Sequence, residues 1–225
     1  VPCDNLPGNG AIAERVIRDF AYLLDPTLAE WFDTSLAIVT TTVDRITPRA
    51  SASDVEIVRT ATGVHDECPV VTEPFKEWVL SGAFPAGRPG WQYTGAIFTD
   101  DVTPYEHRKL WLLNGGHSLL AYAGSIRGHS SVAEAVADDV CRGWLEQWWS
   151  LASPHLSQPA HDIAEYRDAL LARFANPRIH HQLAQIGADG SHKFPVRVFP
   201  VLRAERAANR MPEAATRILA SWICY

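Results

Sequence analysis

The sequence predicts a mainly α protein, with a mixed α/β segment over residues 1–100 followed by an all-helical unit over residues 101–225. Runs rich in β-branched residues, bounded by proline and glycine, fall in the first part, whereas from about Pro104 onward the apolar positions recur at helical spacing. A hydrophobic share of 47% and eight tryptophans in 225 residues are enough to build a substantial core.

In chain order, AIAERVIRDFAYLL places Val16, Ile17, Phe20, Leu23 and Leu24 on one helical face, and Asp25-Pro26 ends that helix. SLAIVTTTVDRI reads as a strand that stops at Thr47-Pro48, with Asp44 near its far end. CPVVTE and WQYTGAIFT read as two further strands, separated by PFKEWVL and the loop GAFPAGRPG. Helical segments are expected near 104–126, 131–152, 161–174, 178–187, 196–209 and 213–225, divided by SIRGHSS, ASPHLSQP, ANP and GADGSHKFP.

Composition excludes several classes. A net charge of -6, with no run of Lys or Arg, lacks the basic footprint of a nucleic-acid binder. No apolar run approaches the roughly 20 residues of a membrane span, and Cys3, Cys68, Cys141 and Cys224 include no CxxC pair. They read as reduced, mostly buried thiols of a soluble, cytoplasmic protein without zinc or disulfides. No HExxH pair is present, and His180-His181 are adjacent, so a bound metal is not expected. Gly8, Gly10 and Ala13 formally match a dinucleotide fingerprint, but CDNLP rather than an apolar strand precedes them, and they read as a polar turn opening a helix. Met211 is the sole methionine and the chain stops inside the apolar pattern AATRILASWICY, so an internal segment of a longer protein is expected.

The chemistry concentrates in HRKLWLLNGGHSLLAYAG. At roughly 100° per residue on an α-helix, Lys109, Asn114 and His117 project at about 0°, 140° and 80°, within one broad arc. Leu112, Leu113, Leu119, Leu120 and Tyr122 fill the remaining angles as a core face. Gly115-Gly116 costs the helix on the order of 1 kcal/mol each relative to Ala, which points to close approach by a ligand or another backbone. Taken singly, each polar residue also has a bland reading. Lys109 and His117 suit a solvated helix face, CDN a helix cap, Asp44 a strand-end turn, and Lys193 a turn lysine.

CDNLPGNG, TTTVDRITP, PVVTEPFKEWV, KLWLLNGGHSLLAYAG and RFANPRIHHQLAQIGADGSHKFPVR together resemble, in order, the polyol-specific long-chain dehydrogenase/reductase family. The resemblance runs across essentially the whole chain and carries the Lys-x4-Asn-x2-His signature. It implies a multi-helical C-terminal substrate domain preceded by an α/β segment from the end of a Rossmann-type domain. It further implies metal-independent, NAD- or NADP-linked interconversion of a secondary alcohol and a ketone, of the mannitol/fructose or mannonate/fructuronate kind. Carried over by motif, Lys109 is the acid/base, Asn5 and Asn114 hold the reacting oxygen, and Asp44, His117 and Lys193 contact substrate hydroxyls.

Two departures stand out. The Gly-rich segment that binds the dinucleotide in this family is absent, so the chain by itself is expected not to bind cofactor normally and to be inactive. Some polyol-oxidising members carry Arg eight residues before the lysine of DGSxK, where this chain has Gln185. The partner implied is a small polyol, ketose or sugar acid, with no nucleic acid or membrane and no fixed oligomeric state. The competing reading is a non-catalytic helical module that binds a sugar or a protein partner.

Overall fold

The computed structural model describes residues 1–225, which form two compact units. Unit 1 comprises Val1–Arg45 and Phe75–Glu106, and unit 2 comprises Ile46–Pro74 and His107–Tyr225.

Unit 1 is the mixed α/β part. Helix α1 spans Asn9–Leu24 and α2 spans Pro26–Ser35. Asp25 links them as predicted: its extended backbone ends α1, and its carboxylate accepts from the Thr27 N–H at 2.9 Å to cap α2. The sequence reading stopped at Asp25-Pro26 and missed α2, because proline at a first helical position starts a helix as readily as it ends one. The apolar stripe of α1 lies on the outside, with Phe20 62% and Leu23 81% exposed. A small sheet follows in the order β1 (Thr40–Asp44), β2 (Glu77–Ser81), β3 (Ala96–Phe98). β1 and β2 are antiparallel, with Thr42 opposite Val79, whereas β2 and β3 are parallel.

The strand assignments need correction. CPVVTE is irregular, and the second strand comes from EWVLS inside the stretch read as a connection. Within WQYTGAIFT only Ala96–Phe98 is strand, because Trp91–Thr94 winds into a 3-10 turn ended by Gly95 at φ 98°.

Unit 2 is helical. Ile46–Pro74 contributes α3 (Ala52–Thr62), opened by a capping box in which the Ser51 N–H donates to Asp54 at 2.7 Å. After α4 (Thr103–Arg108) the chain continues without a break into Lys109–Asn114 and α5 (Gly115–Ile126). Then come α6 (Val132–Ala137), α7 (Asp139–Ala152), α8 (Ala160–Phe174), α9 (Leu183–Gly187), α10 (Gly190–Arg197), α11 (Phe199–Ala207) and α12 (Glu213–Cys224). GADGSHKFP, expected as a divider, is instead mostly helix α10. Asp189 holds a left-handed turn at φ 56°, and its carbonyl accepts from the N–H groups of His192 and Lys193.

The core of unit 2 forms around α5, buried from Gly115 through Gly124. Trp148 and Trp149 on α7 pack beneath its start and are almost wholly buried. At 150–250 Å² per aromatic ring and about 25 cal/mol per Å², each contributes about 4–6 kcal/mol of apolar burial. The cysteines depart from expectation: Cys141 is buried, but Cys3, Cys68 and Cys224 are exposed free thiols. Cys3 and Cys68 lie in exposed irregular segments, and Cys224 is the exposed last residue of α12. No helix is long and apolar enough to cross a membrane.

Candidate active site

Lys109–Asn114 is a π-helical turn, not part of a regular α-helix. The angles expected for an α-helix therefore do not apply there. In a π-helix the hydrogen bond runs from residue i to i+5, and the Gly115 N–H accordingly donates to the Leu110 carbonyl. The same five-residue repeat sets Asn114 one turn above Lys109.

The sequence explains how so unusual a turn is held. Widening a helix leaves carbonyls without their normal partners, and a buried orphan carbonyl is costly. Two tryptophans remove that cost. The Trp148 indole N–H donates to the Trp111 carbonyl at 2.8 Å, and the Trp149 indole N–H donates to the Leu112 carbonyl at 2.9 Å. Glycine lets the indoles come close: a Cβ on Gly115 would lie 2.8 Å from Trp148 Nε1, and one on Gly116 would lie 2.8 Å from Leu145 Cδ1. The close approach expected at Gly115-Gly116 is thus made by side chains of α7, not by a ligand or backbone.

Lys109 and His117 are buried, at 8% and 5% exposure, so neither belongs to a solvated face. His117 stacks on Phe174, with ring centroids 4.4 Å apart, and meets His181 edge-on at 4.9 Å. Its pKa falls well below 6.5, chiefly through burial, with the positive charges of Arg197 and Arg173 and the neighbouring His181 adding to the effect. Burial also takes His181 down to about 4. Both rings are therefore neutral at neutral pH. Three buried polar atoms in this region have no protein partner: Asn114 Oδ1, His117 Nε2 and His181 Nδ1. Such groups are rare in a finished core and mark places where a polar ligand would bind.

Behind the cluster, Arg173 on α8 is held by Glu73 through contacts of 2.7, 2.9 and 3.1 Å. Glu73 also accepts from the Ile46 N–H at 2.6 Å, which ties the Ile46–Pro74 segment to α8.

The remaining expected residues sit as follows. The Lys193 amine donates to the carbonyls of Ile186, at 3.0 Å, and Ala188, so its charge lies at the end of α9. Gln185 lies on the exposed face of α9. In unit 1, Asn5 is exposed on the CDN loop, and Asp44 is buried at the end of β1, opposite Glu77.

Two residues escaped the sequence reading. Asn9 is buried, and its Oδ1 accepts from the Thr41 N–H at 3.0 Å while its Nδ2 donates to the Asp4 carbonyl at 3.3 Å. It fastens the loop that carries Asn5 onto β1. Gly10 packs against Thr40 rather than cradling phosphate: its Cβ position is 2.3 Å from Thr40 Oγ1. Arg197, at the end of α10, donates to the Ser118 hydroxyl at 3.3 Å, beside His117. The pattern S-x-x-D at 51–54 is a signal for α3 that the sequence reading passed over, whereas no local pattern distinguishes Asn9 or Arg197 from surface residues.

A buried amine, a carboxamide and a neutral imidazole thus lie on consecutive turns of one helical stretch. Residues 1–93 match the family model of the mannitol dehydrogenase Rossmann domain, and residues 101–225 match that of the mannitol dehydrogenase C-terminal domain. The chain belongs to the mannitol dehydrogenase family, with a multi-helical C-terminal domain preceded by an α/β segment of the Rossmann domain. It is 37% identical over 203 residues to D-mannonate oxidoreductase of Escherichia coli, covering 89% of this chain and 42% of that protein. It is 38% identical over 219 residues to D-arabinitol 4-dehydrogenase of Ralstonia nicotianae, covering 96% and 47%. The structure of Pseudomonas fluorescens mannitol 2-dehydrogenase, in ternary complex with NAD and D-mannitol, superposes with a TM-score of 0.85 at 38% identity, covering 97% of this chain and 45% of that one. The chain thus spans about half the length of the relatives it matches.

Proposed function

We propose that this chain is the substrate-handling part of a metal-independent oxidoreductase that interconverts a secondary alcohol of a polyol or sugar acid with its ketone. Lys109 acts as the acid/base. The observation that carries this reading is the π-turn, which sets the buried Lys109 one turn from Asn114, whose Oδ1 has no protein partner, on the helical stretch that also carries His117, whose Nε2 has none.

The donor set fits a nicotinamide reaction, in which NAD or NADP, when bound, supplies or accepts the hydride. A carbinol carbon exchanges hydride only as its oxygen exchanges a proton, so the protein must move that proton and hold alkoxide charge. Lys109, an amine buried beside Asn114 and His117 on the same helical stretch, is the group assigned to take up and return the proton. Asn114 donates an amide N–H to the oxygen without adding net charge, a contribution worth on the order of 100- to 1000-fold in rate. His117, neutral and fixed against Phe174, offers Nε2 to a substrate hydroxyl. Asn5, Asp44 and Lys193 keep the roles that the resemblance assigns them, on the reacting oxygen and on substrate hydroxyls. No step needs a Lewis acid, because the amine and carboxamides supply both proton transfer and charge stabilisation. Gly10 packs against Thr40 and has no setting of a phosphate-binding turn, so no role toward the dinucleotide phosphates is assigned to it. We place the enzyme in the cytoplasm.

Lys109→Ala in the complete enzyme tests this reading. Turnover is expected to fall at least about 1000-fold, with dinucleotide affinity changed less than about 3-fold. Near-normal turnover rules out the acid/base assignment.

A further inference from the structure

We propose that Arg197 is a specificity-determining residue that binds the carboxylate of the substrate, so that the enzyme's substrates are open-chain sugar acids rather than neutral polyols. This inference rests on the reading above and narrows its substrate class.

Arg197 carries a partly buried guanidinium whose hydrogen bond goes to a neutral hydroxyl, Ser118 Oγ at 3.3 Å. No carboxylate pairs with it. Elsewhere in the protein the pattern differs: Arg173 has Glu73, Arg127 has Asp138, and Arg210 has Glu205. Burial alone pulls the Arg197 pKa down to about 10, and the only opposing influence is the Tyr122 phenol, which is neutral at pH 7. A desolvated cation without a counter-ion is unfavourable, and a bound anion relieves that cost.

The position of this charge decides what the anion is. Ser118 follows His117 directly, and its hydroxyl donates to the Asn114 carbonyl at 3.0 Å. Arg197 is therefore linked through the Ser118 hydroxyl, by contacts of 3.3 and 3.0 Å, to the backbone carbonyl of the residue proposed to hold the reacting oxygen. A short open-chain acid reaches from one to the other, with its carboxylate at Arg197 and its carbinol at Asn114. The electrostatic surroundings agree. Lys193, on the preceding turn of α10, adds a second positive charge beside Asp189, and the charge of Arg197 helps to lower the pKa of both Lys193 and His117, whose shifts come mainly from burial. A neutral polyol leaves that positive field uncompensated. In the same cluster Arg173 is already neutralised by Glu73.

The test uses the complete enzyme with NAD and compares D-mannonate with D-mannitol. The unmutated enzyme is expected to show a kcat/KM for D-mannonate at least about 100-fold above that for D-mannitol. Arg197→Met is expected to raise the KM for D-mannonate by about 100-fold or more while changing its kcat, and kcat/KM for D-mannitol, by less than about 3-fold. Arg197→Lys is expected to recover about 10-fold of the loss. In the unmutated enzyme KM for D-mannonate should also rise with ionic strength, whereas KM for D-mannitol should not, a readout that needs no variant. Preference for D-mannitol, or equal losses for both substrates in Arg197→Met, overturns the assignment of Arg197 but leaves the oxidoreductase reading intact. Turnover of neither substrate, nor of any other polyol or sugar acid, removes that reading and this inference with it.

Discussion

The indole of Trp148 donates to the backbone carbonyl of Trp111 at 2.8 Å, across 37 residues of sequence. Together with the Trp149 contact to Leu112, this bond supplies the partner that a π-turn takes away from its own carbonyls. The position of Asn114 relative to Lys109 therefore depends on α7, an element that contributes nothing to the chemistry itself.

Replacing Trp148 with Phe keeps the ring but removes the donor. The Trp111 carbonyl is then left buried without a partner, at a cost of about 1–3 kcal/mol. Chemical denaturation should show that loss, and turnover in the complete enzyme should fall by at least about 10-fold as the turn relaxes towards α-helical geometry. Unchanged turnover together with the stability loss would mean that the turn holds its shape without the indole.

Glu73 is expected to matter more to stability than any surface acid. Glu73→Ala leaves Arg173, 6% exposed, without its counter-ion, and removing one partner of a buried pair costs about 3–5 kcal/mol. Exchanging both residues, Glu73→Met with Arg173→Met, should recover most of that loss. If the single change costs less than about 1 kcal/mol by urea denaturation, Arg173 must have found another partner.

The two buried histidines predict an acid limit to stability. His117 is held neutral far below 6.5 and His181 down to about 4. In the unfolded chain both take up protons near 6.5, whereas the native protein does not, so folding is fully stable above that value and weakens as pH falls below it. At pH 5 the loss amounts to at most about 2 kcal/mol per histidine, and the His181 contribution stops growing near pH 4. Melting temperatures measured from pH 7 to pH 5 should decline, less steeply in His181→Gln. That window lies above the range in which the hydrogen-bonded carboxylates Glu205 and Glu134 begin to protonate in the unfolded chain. A flat profile would show that one or both rings gain protons in the folded state.

Legibility in the sequence followed the range of the interactions involved. α1, α7, α8 and α12 showed in the pattern because their apolar spacing is local, with Asp138 as a side-chain cap for α7. CPVVTE failed as a strand because its fate is set elsewhere: Glu73 is drawn to Arg173, 100 residues later in the chain, and Val70 is left 76% exposed. α3 carried a readable capping box at Ser51 and Asp54 that its weak apolar spacing obscured. Lys109, Asn114 and His117 do lie on one continuous helical stretch, but their mutual placement was not readable, because the widened turn is fixed by two indoles far along the chain. Arg197 was invisible for the complementary reason. What distinguishes it is a missing carboxylate, and only a folded structure shows which acids are out of reach.

The chain leaves the first unit at Arg45, adds Ile46–Pro74 to the second, and returns at Phe75. A protein engineer who cuts at the family-model boundary, keeping only residues 101–225, would discard Glu73 and strand a guanidinium inside the retained piece. Excision there should yield insoluble or domain-swapped material, whereas co-expression with a peptide spanning residues 46–74 should restore a soluble helical body. The boundary that sequence families share is, for this fold, the wrong place for scissors.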